Sequence, residues 1–234
     1  MAQYIEKVYK SRQVLLDILH DRGYDTVGAS KYGPEEIREA LNATANGKAL
    51  EFNVKADASR KDMTPPTQNV RVYVFLGLPR LKPRLAGFIS SLDTPIRGGG
   101  ETTTRQTEQS GSPVDPAQTS VICLINEPVA QVFNTAANMV WSKRNLRLSF
   151  FNIDSFQMNP LTHMLVPKHE IVPKEQHDGL LKTMYVTQKT HLPLIRYHED
   201  PIARVIGAVP GDIVKITRPS PSAGEYIVYR VCVP

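Results

Sequence analysis

The end of the chain constrains the fold more than any other stretch. Residues 211–218, GDIVKITR, and 225–233, EYIVYRVCV, are rich in β-branched and aromatic side chains, and PSPSAG separates them. Runs of this kind, punctuated by proline and glycine, read as two strands joined by a turn. Strand side chains alternate between faces, so Tyr226, Val228, Arg230 and Cys232 share one face of the second strand. Ile227, Tyr229, Val231 and Val233 share the other. Both faces are largely apolar, so this strand needs cover on both sides, and one of the covers can be another protein.

The residues leading to this hairpin are built of short pieces. Nine of the 18 prolines lie after residue 159, which suits short elements joined by rigid turns. Pro173 to Tyr185 reads as a helix with proline at its start. Asp200-Pro201 opens another: the carboxylate accepts from an early backbone N–H, and proline supplies the helical φ. Ile202, Val205 and Ile206 form its apolar face, and Gly207 closes it. Gly211 and Gly224 supply turn geometry at either end of the first strand. The composition shift near residue 158 marks a domain boundary, giving residues 1–157 and 158–234.

The first part alternates helices and strands. Ile5, Val8, Leu15, Leu16 and Leu19 lie near helical spacing within residues 4–20, and Gly23 is placed to cap that helix. A second helix is expected from Pro34 to about Ala45, with Glu35 and Glu36 at the positive end of its dipole. Residues 53–69 read as a loop, VRVYVFL (Val70 to Leu76) as a strand and LAGFISSL (Leu85 to Leu92) as another. Residues 93–119 carry almost nothing apolar and are expected to be a mobile insertion. VICLI (Val121 to Ile125) reads as a buried strand, Pro128 to about Trp141 as a helix and LRLSFFNI (Leu146 to Ile153) as a strand. The expectation is an α+β / α/β protein: helices packed on a mixed sheet, then a small α+β domain.

Little in the sequence points to catalysis. The six histidines, His20, His163, His169, His177, His191 and His198, form no zinc-binding spacing. No GxSxG elbow occurs, and Gly98 to Gly100 lack the flanking strand and helix of a phosphate-cradling loop. Glu51 and Asp57 fall in the expected loop region, so no strand-borne pair of carboxylates is available to hold two metals. Cys123 and Cys232 have no near partner and read as buried thiols in a reducing compartment. No metal and no cofactor are expected. The net charge of +5 comes from scattered residues, a weaker footprint than that of a protein that binds nucleic acid alone. The N-terminus lacks an apolar signal core, and no stretch has the apolar length of a membrane span, so a soluble chain is expected.

Several motifs stand in a fixed order. NPLTHMLVPKH, Asn159 to His169, precedes HLPLIRYHEDPIARVIGAVPGDIVKITRPSPSAGEYIVYRV, His191 to Val231. The second block carries Leu-Pro, Asp-Pro-x-Ala-Arg, Gly-Asp-x-Val-Lys-Ile, Arg-Pro-Ser, Ala-Gly-x-Tyr and Tyr-Arg elements. These resemble the C-terminal assembly module of the fifth-largest, normally shared subunit of nuclear RNA polymerases, which has a counterpart in the archaeal RNA polymerase. YKSRQVLLDILHDRGY (Tyr9 to Tyr24), VRVYVFL and VICLINEPVAQ are similar, more loosely, to that family's N-terminal domain. The sequence departs from the family at the 93–119 insertion and at Val209-Pro210, where a basic residue usually precedes the second glycine.

The resemblance implies a non-catalytic subunit. Its C-terminal domain would dock on the largest subunit, and its N-terminal domain would form part of the lower jaw near downstream duplex DNA. Neighbouring subunits and non-specific DNA are the implied partners, with no membrane and no small-molecule substrate. The implied location is the nucleus, or the nucleolus if the chain serves only the ribosomal-RNA polymerase. His163, Val166, Pro167, His169, Arg218, Tyr226, Tyr229 and Arg230 are the candidates for partner contact. Pro128, expected at a helix start, is the candidate nearest DNA, where free N–H groups approach phosphate. Gly23, Asp200, Pro201, Gly207, Gly211 and Gly224 are expected to shape turns and caps. A stand-alone DNA-binding or regulatory factor is the competing reading; a metal-dependent nuclease lacks the necessary carboxylates.

Overall fold

A computed structural model describes residues 2–30, 32–43, 47–59, 67–77, 80–92, 115 and 118–234. Most of the expected insertion at 93–119, and the middle of the expected loop at 53–69, therefore lie outside the described residues.

The first helix, α1 (Ala2–Asp21), buries Val8, Leu15, Leu16, Ile18 and Leu19 along one stripe. It ends where Gly23 takes a left-handed φ of 89° and its N–H bonds the His20 carbonyl. A short strand β1 (Tyr24–Asp25) and helix α2 (Pro34–Ala43) follow. Next come β2 (Phe52–Ala56), β3 (Asn69–Phe75), α3 (Leu85–Ser91), β4 (Thr119–Ile125), α4 (Gln131–Arg144) and β5 (Arg147–Asn152). The five strands form one sheet in the order β1-β2-β3-β4-β5. The first three are antiparallel neighbours, and β3, β4 and β5 run parallel.

Three expectations are corrected here. Residues 52–56 are a strand rather than part of a loop: Phe52 and Val54 point inward and alternate with exposed neighbours, a signal too short to stand out in the sequence. Leu85 to Leu92 is a helix, not a strand. Leu85 and Leu92 are one heptad apart and both buried, and Phe88 between them sets its ring edge-on against Tyr73 and Phe75. Parallel β3 and β4 need a crossover that their own pairing cannot supply, and α3 lies on it. The third concerns α4, which begins at Gln131 and ends at Arg144, so Pro128 stands outside it.

The chain continues through β6 (Lys168–Ile171), α5 (His177–Thr183), β7 (Leu194–Arg196), α6 (Pro201–Ile206), β8 (Ile213–Ser220) and β9 (Gly224–Val233). The expected helix from Pro173 is shorter than its sequence suggests, because its first turn is 3-10 and Tyr185, at φ 55°, lies beyond its end. A second sheet has the order β6-β8-β9-β7. Gly211 and Gly224 take left-handed φ values of 96° and 74° at the turns bounding β8. Asp200 caps α6 by accepting from the N–H groups of Ile202 at 2.8 Å and Ala203 at 2.9 Å, with Pro201 in the first turn.

Apolar burial links the two sheets. One cluster packs α1 and α2 on Val70, Val72, Val74, Ile122 and Leu124 of the first sheet, and reaches Val205 of α6. The other face of that sheet joins α3, α4, Phe150, Tyr197, Val214, Ile216 and Cys232 in a second cluster. A third, smaller cluster packs Leu181 and Leu192 on Ile213 and Val231, covering the far face of the second sheet. Among the described residues, no helix is long and apolar enough to cross a membrane.

Two positions near α6 test this account. Asp200→Ala should lower unfolding free energy by about 1 kcal/mol through the lost cap. Gly207, at φ 75°, closes α6, and a Cβ there would meet the Arg22 guanidinium at 3.1 Å. Gly207→Ala should therefore cost more than the cap, on the order of 2 kcal/mol from left-handed strain plus crowding. Urea titrations of both variants check the ranking.

Candidate functional site

The register of the second sheet brings three of the candidate contact residues, Pro167, Arg218 and Tyr226, to one end. Lys168, Thr217 and Ile227 stand in one row across β6, β8 and β9, and Arg218 pairs with Tyr226 in the next. Pro167 precedes Lys168 and so lies at that same end. The loop before β6 is held by local bonds: Asn159 accepts from the N–H of Leu161 at 3.0 Å, and the Val166 N–H donates to the His163 carbonyl at 2.9 Å. His163 accepts from the N–H of Leu165 at 3.2 Å, and the His169 ring approaches the Pro167 carbonyl at 2.6 Å.

These contacts leave a surface of large apolar side chains. Met164 is 92% exposed, Leu165 78% and Tyr226 59%, and Ile227 is exposed as well. Single exposed apolar residues are ordinary, but an adjacent pair in the loop before β6 and another at the start of β9 make these two stretches candidates for interaction. Sequence reasoning singles out His163, Val166, Pro167 and His169 here and passes over Met164, Leu165 and Ile227.

The two remaining candidates make contacts within the chain. Tyr229 lies partly buried against the third apolar cluster. Arg230 donates to the Leu194 carbonyl at 2.9 Å, tying β9 to edge strand β7. The expectation that β9 needs cover on both faces holds along part of its length. Val231 and Cys232 are buried between the second and third clusters, whereas Glu225, Tyr226 and Ile227 are exposed.

Pro128 is exposed in an extended segment three residues before α4. The free N–H groups of that helix start beyond Ala130, whose side chain makes no cap. Beside Pro128, Glu127 is buried and accepts from the Lys82 N–H at 3.0 Å. Glu51 and Asp57 lie at opposite ends of β2, about 20 Å apart at strand rise. Burial holds the Glu51 carboxyl up at about 7. Among the described residues, no three His, Cys, Asp or Glu side chains converge where they could hold a metal ion.

A second constellation lies between the sheets. His198, fully buried at φ 62°, accepts from the Phe150 N–H at 3.0 Å through Nε2 and meets Asn134 at 2.9 Å through Nδ1. That pattern requires a neutral ring with its proton on Nδ1. Burial, reinforced by the Arg204 cation, depresses the imidazole to about 3. Arg204 donates to the Phe150 carbonyl at 3.1 Å and Tyr197 to the Leu148 carbonyl at 3.3 Å. From the other side, Arg147 donates to the Gly207 carbonyl at 3.0 Å, and Arg22 donates to the Arg204 and Val205 carbonyls at the end of α6. These groups fasten the two sheets together.

The second sheet, its exposed end and the motifs that build it match a known family. Residues 158–232 match the family model of the RNA polymerase Rpb5 C-terminal domain. The DNA-directed RNA polymerase subunit Rpo5 of Archaeoglobus fulgidus is 56% identical over 71 residues, covering 30% of this chain and 91% of the relative. Rpo5 of Methanocaldococcus jannaschii is 47% identical over 76 residues, 32% of this chain and 95% of the relative. The DNA-directed RNA polymerases I, II, and III subunit rpabc1 of Dictyostelium discoideum is 29% identical over 229 residues, 98% of both chains. The class is thus that of a subunit of a multisubunit DNA-directed RNA polymerase, with other polymerase subunits as its partners. Within that class the chain belongs to the Rpb5 family, whose archaeal members are named Rpo5.

The His198 arrangement makes a prediction about acid stability. The unfolded imidazole takes up a proton near pH 6.5, whereas the folded ring stays neutral to about pH 3. Acidification across that window therefore favours the unfolded state, by at most about 1.4 kcal/mol per pH unit. His198→Asn, which tolerates the left-handed backbone, should show a shallower loss of stability between pH 6.5 and 4 than the wild type. Denaturant titrations at a series of pH values read this slope directly; equal slopes would refute the assignment.

Proposed function

We propose that the chain is a scaffolding subunit in which residues 158–234 dock on the largest polymerase subunit. Residues 1–157 then form part of the lower jaw, near downstream duplex DNA. The observation that carries the docking half is the uncovered end of the second sheet. Membership in a family of polymerase subunits, exposed apolar Met164 and Leu165 before β6, exposed Tyr226 and Ile227 on β9, and Arg218 paired with Tyr226 support an anchoring role for this end. Aromatic and arginine side chains are favoured anchors at interfaces, and an apolar obligate contact withstands salt.

The jaw half rests on the α/β character of the first sheet and on the full-length similarity to the Dictyostelium subunit. That relative is named as a subunit of polymerases I, II and III, so the nucleus is the proposed location and service to all three enzymes the proposed role. The modest net charge of +5 fits a supporting, non-specific contact with duplex DNA made within a larger assembly.

The tagged chain should co-purify stoichiometrically with the large polymerase subunits through high-salt washes, and recovery only as free monomer would defeat the proposal. A photo-crosslinker at position 226 should capture the largest subunit. Tyr226→Ala combined with Ile227→Asp should weaken association by roughly thirtyfold. Its effect on thermal unfolding should be small, because exposed substitutions away from caps and cores stay within about 0.5 kcal/mol.

A further inference from the structure

We propose that the outer edge of β6 receives an extended strand from a neighbouring polymerase subunit, with a branched apolar side chain of that strand seated in the groove alongside. This rests on the docking reading above and specifies how part of that contact is made.

The argument begins with the hydrogen-bond phase of β6, an edge strand paired only with β8. The Val172 N–H, just past its end, donates to the Ile213 carbonyl at 2.9 Å. In an antiparallel ladder successive residues turn their backbone groups to opposite sides. Glu170 and Lys168, in phase with Val172, therefore face β8. His169 and Ile171 turn their N–H and C=O groups away from it. Among the described residues, no backbone bond is made across that edge. Two donors and two acceptors at strand spacing are thus presented together.

A groove of about 590 Å³ runs beside this edge. His169 and Ile171 from one face of β6 and Glu170 from the other all line it, so it straddles the strand's edge instead of lying on one face. Besides Asp21, Arg22, Gln176 and Lys215, its lining holds an apolar set, Ile18 of α1, Leu161, and Val205 and Ile206 of α6. The charges of β6 are already engaged: Lys168 pairs with Glu170 at 2.5 Å, and Glu170 lies 3.7 Å from Lys215.

These features select the occupant. A helix satisfies its own backbone and leaves the four outward groups unmet, whereas an extended segment pairs with them and sends alternate side chains sideways. The groove wall favours Val, Ile or Leu at the side chain it receives. Native proteins usually blunt open edges with proline, inward charge or a covering loop. Within β6 there is no proline, and its charges pair with each other.

Amide hydrogen exchange on the assembled polymerase and on the free chain tests this. The His169 and Ile171 amides should exchange at least tenfold more slowly in the complex, while Glu170 changes little because β8 already protects it. His169→Pro removes only an outward N–H and should reduce co-purification at least tenfold, since proline is tolerated where the N–H faces out of a sheet. His169→Ala keeps the N–H and should lose distinctly less than His169→Pro. If the chain co-purifies but both amides exchange as in the free chain, the edge-strand inference falls and the docking proposal stands. If the chain does not co-purify at all, both fall. Equal losses in His169→Ala and His169→Pro would assign the contact to the side chain and overturn the inference. So would protection that appears in the free chain as its concentration rises, which would make the occupant a second copy.

Discussion

An edge strand cannot be left with bare peptide groups inside a protein, and how β5 avoids this shapes the whole molecule. Leu148 and Phe150 turn backbone groups away from β4, and the side chains of Tyr197, His198 and Arg204 meet them there. The second sheet thus closes the first through side chains instead of another strand. Each such bond is worth roughly 1 kcal/mol net, but a buried N–H or C=O left unmet costs up to about 3. The seal is therefore favoured more by what its loss would expose than by what it gains. Because the apolar cluster of α4, Phe150, Val214 and Cys232 lies against it, the two sheets share one interior.

Two buried arginines, Arg12 and Arg22, follow one rule. Arg12 bonds the Leu50 and Ala29 carbonyls and lies over the ring of Phe52. Arg22 donates to the Arg204 and Val205 carbonyls at the end of α6, where the helix dipole is negative. Burial lowers both guanidinium groups to about 10, which still leaves them charged at neutral pH. Such cations are neutralised by peptide dipoles instead of carboxylates. They read backbone position, which explains how a post-helix residue such as Arg22 can fix where a helix nearly two hundred positions later must end.

The second sheet behaves in the opposite way at its far end. Its β9 strand is enclosed at Val231 and Cys232 and bare at Tyr226 and Ile227, and its first strand, β6, has an open edge. Side chains meet the β5 edge of the first sheet, whereas among the described residues the outer edge of β6 makes no backbone bond.

Much of this is readable without coordinates, wherever the signal is local. The cap at Asp200, the glycines at 23, 207, 211 and 224 and the hairpin of β8 and β9 follow from backbone preferences that a few neighbouring residues express. Leu85 to Leu92 cannot be resolved that way, since a short apolar run fits either period until the parallel pairing of β3 and β4 demands a crossover helix. Phe52 to Ala56 is too short to outweigh the polar residues after it. Most of the elements, the caps and the family were thus written in the order of the residues. Which edge is sealed and which is open was settled by the folded chain, because sealing depends on bonds such as His198 to Phe150, whose partners meet only once the chain has closed on itself.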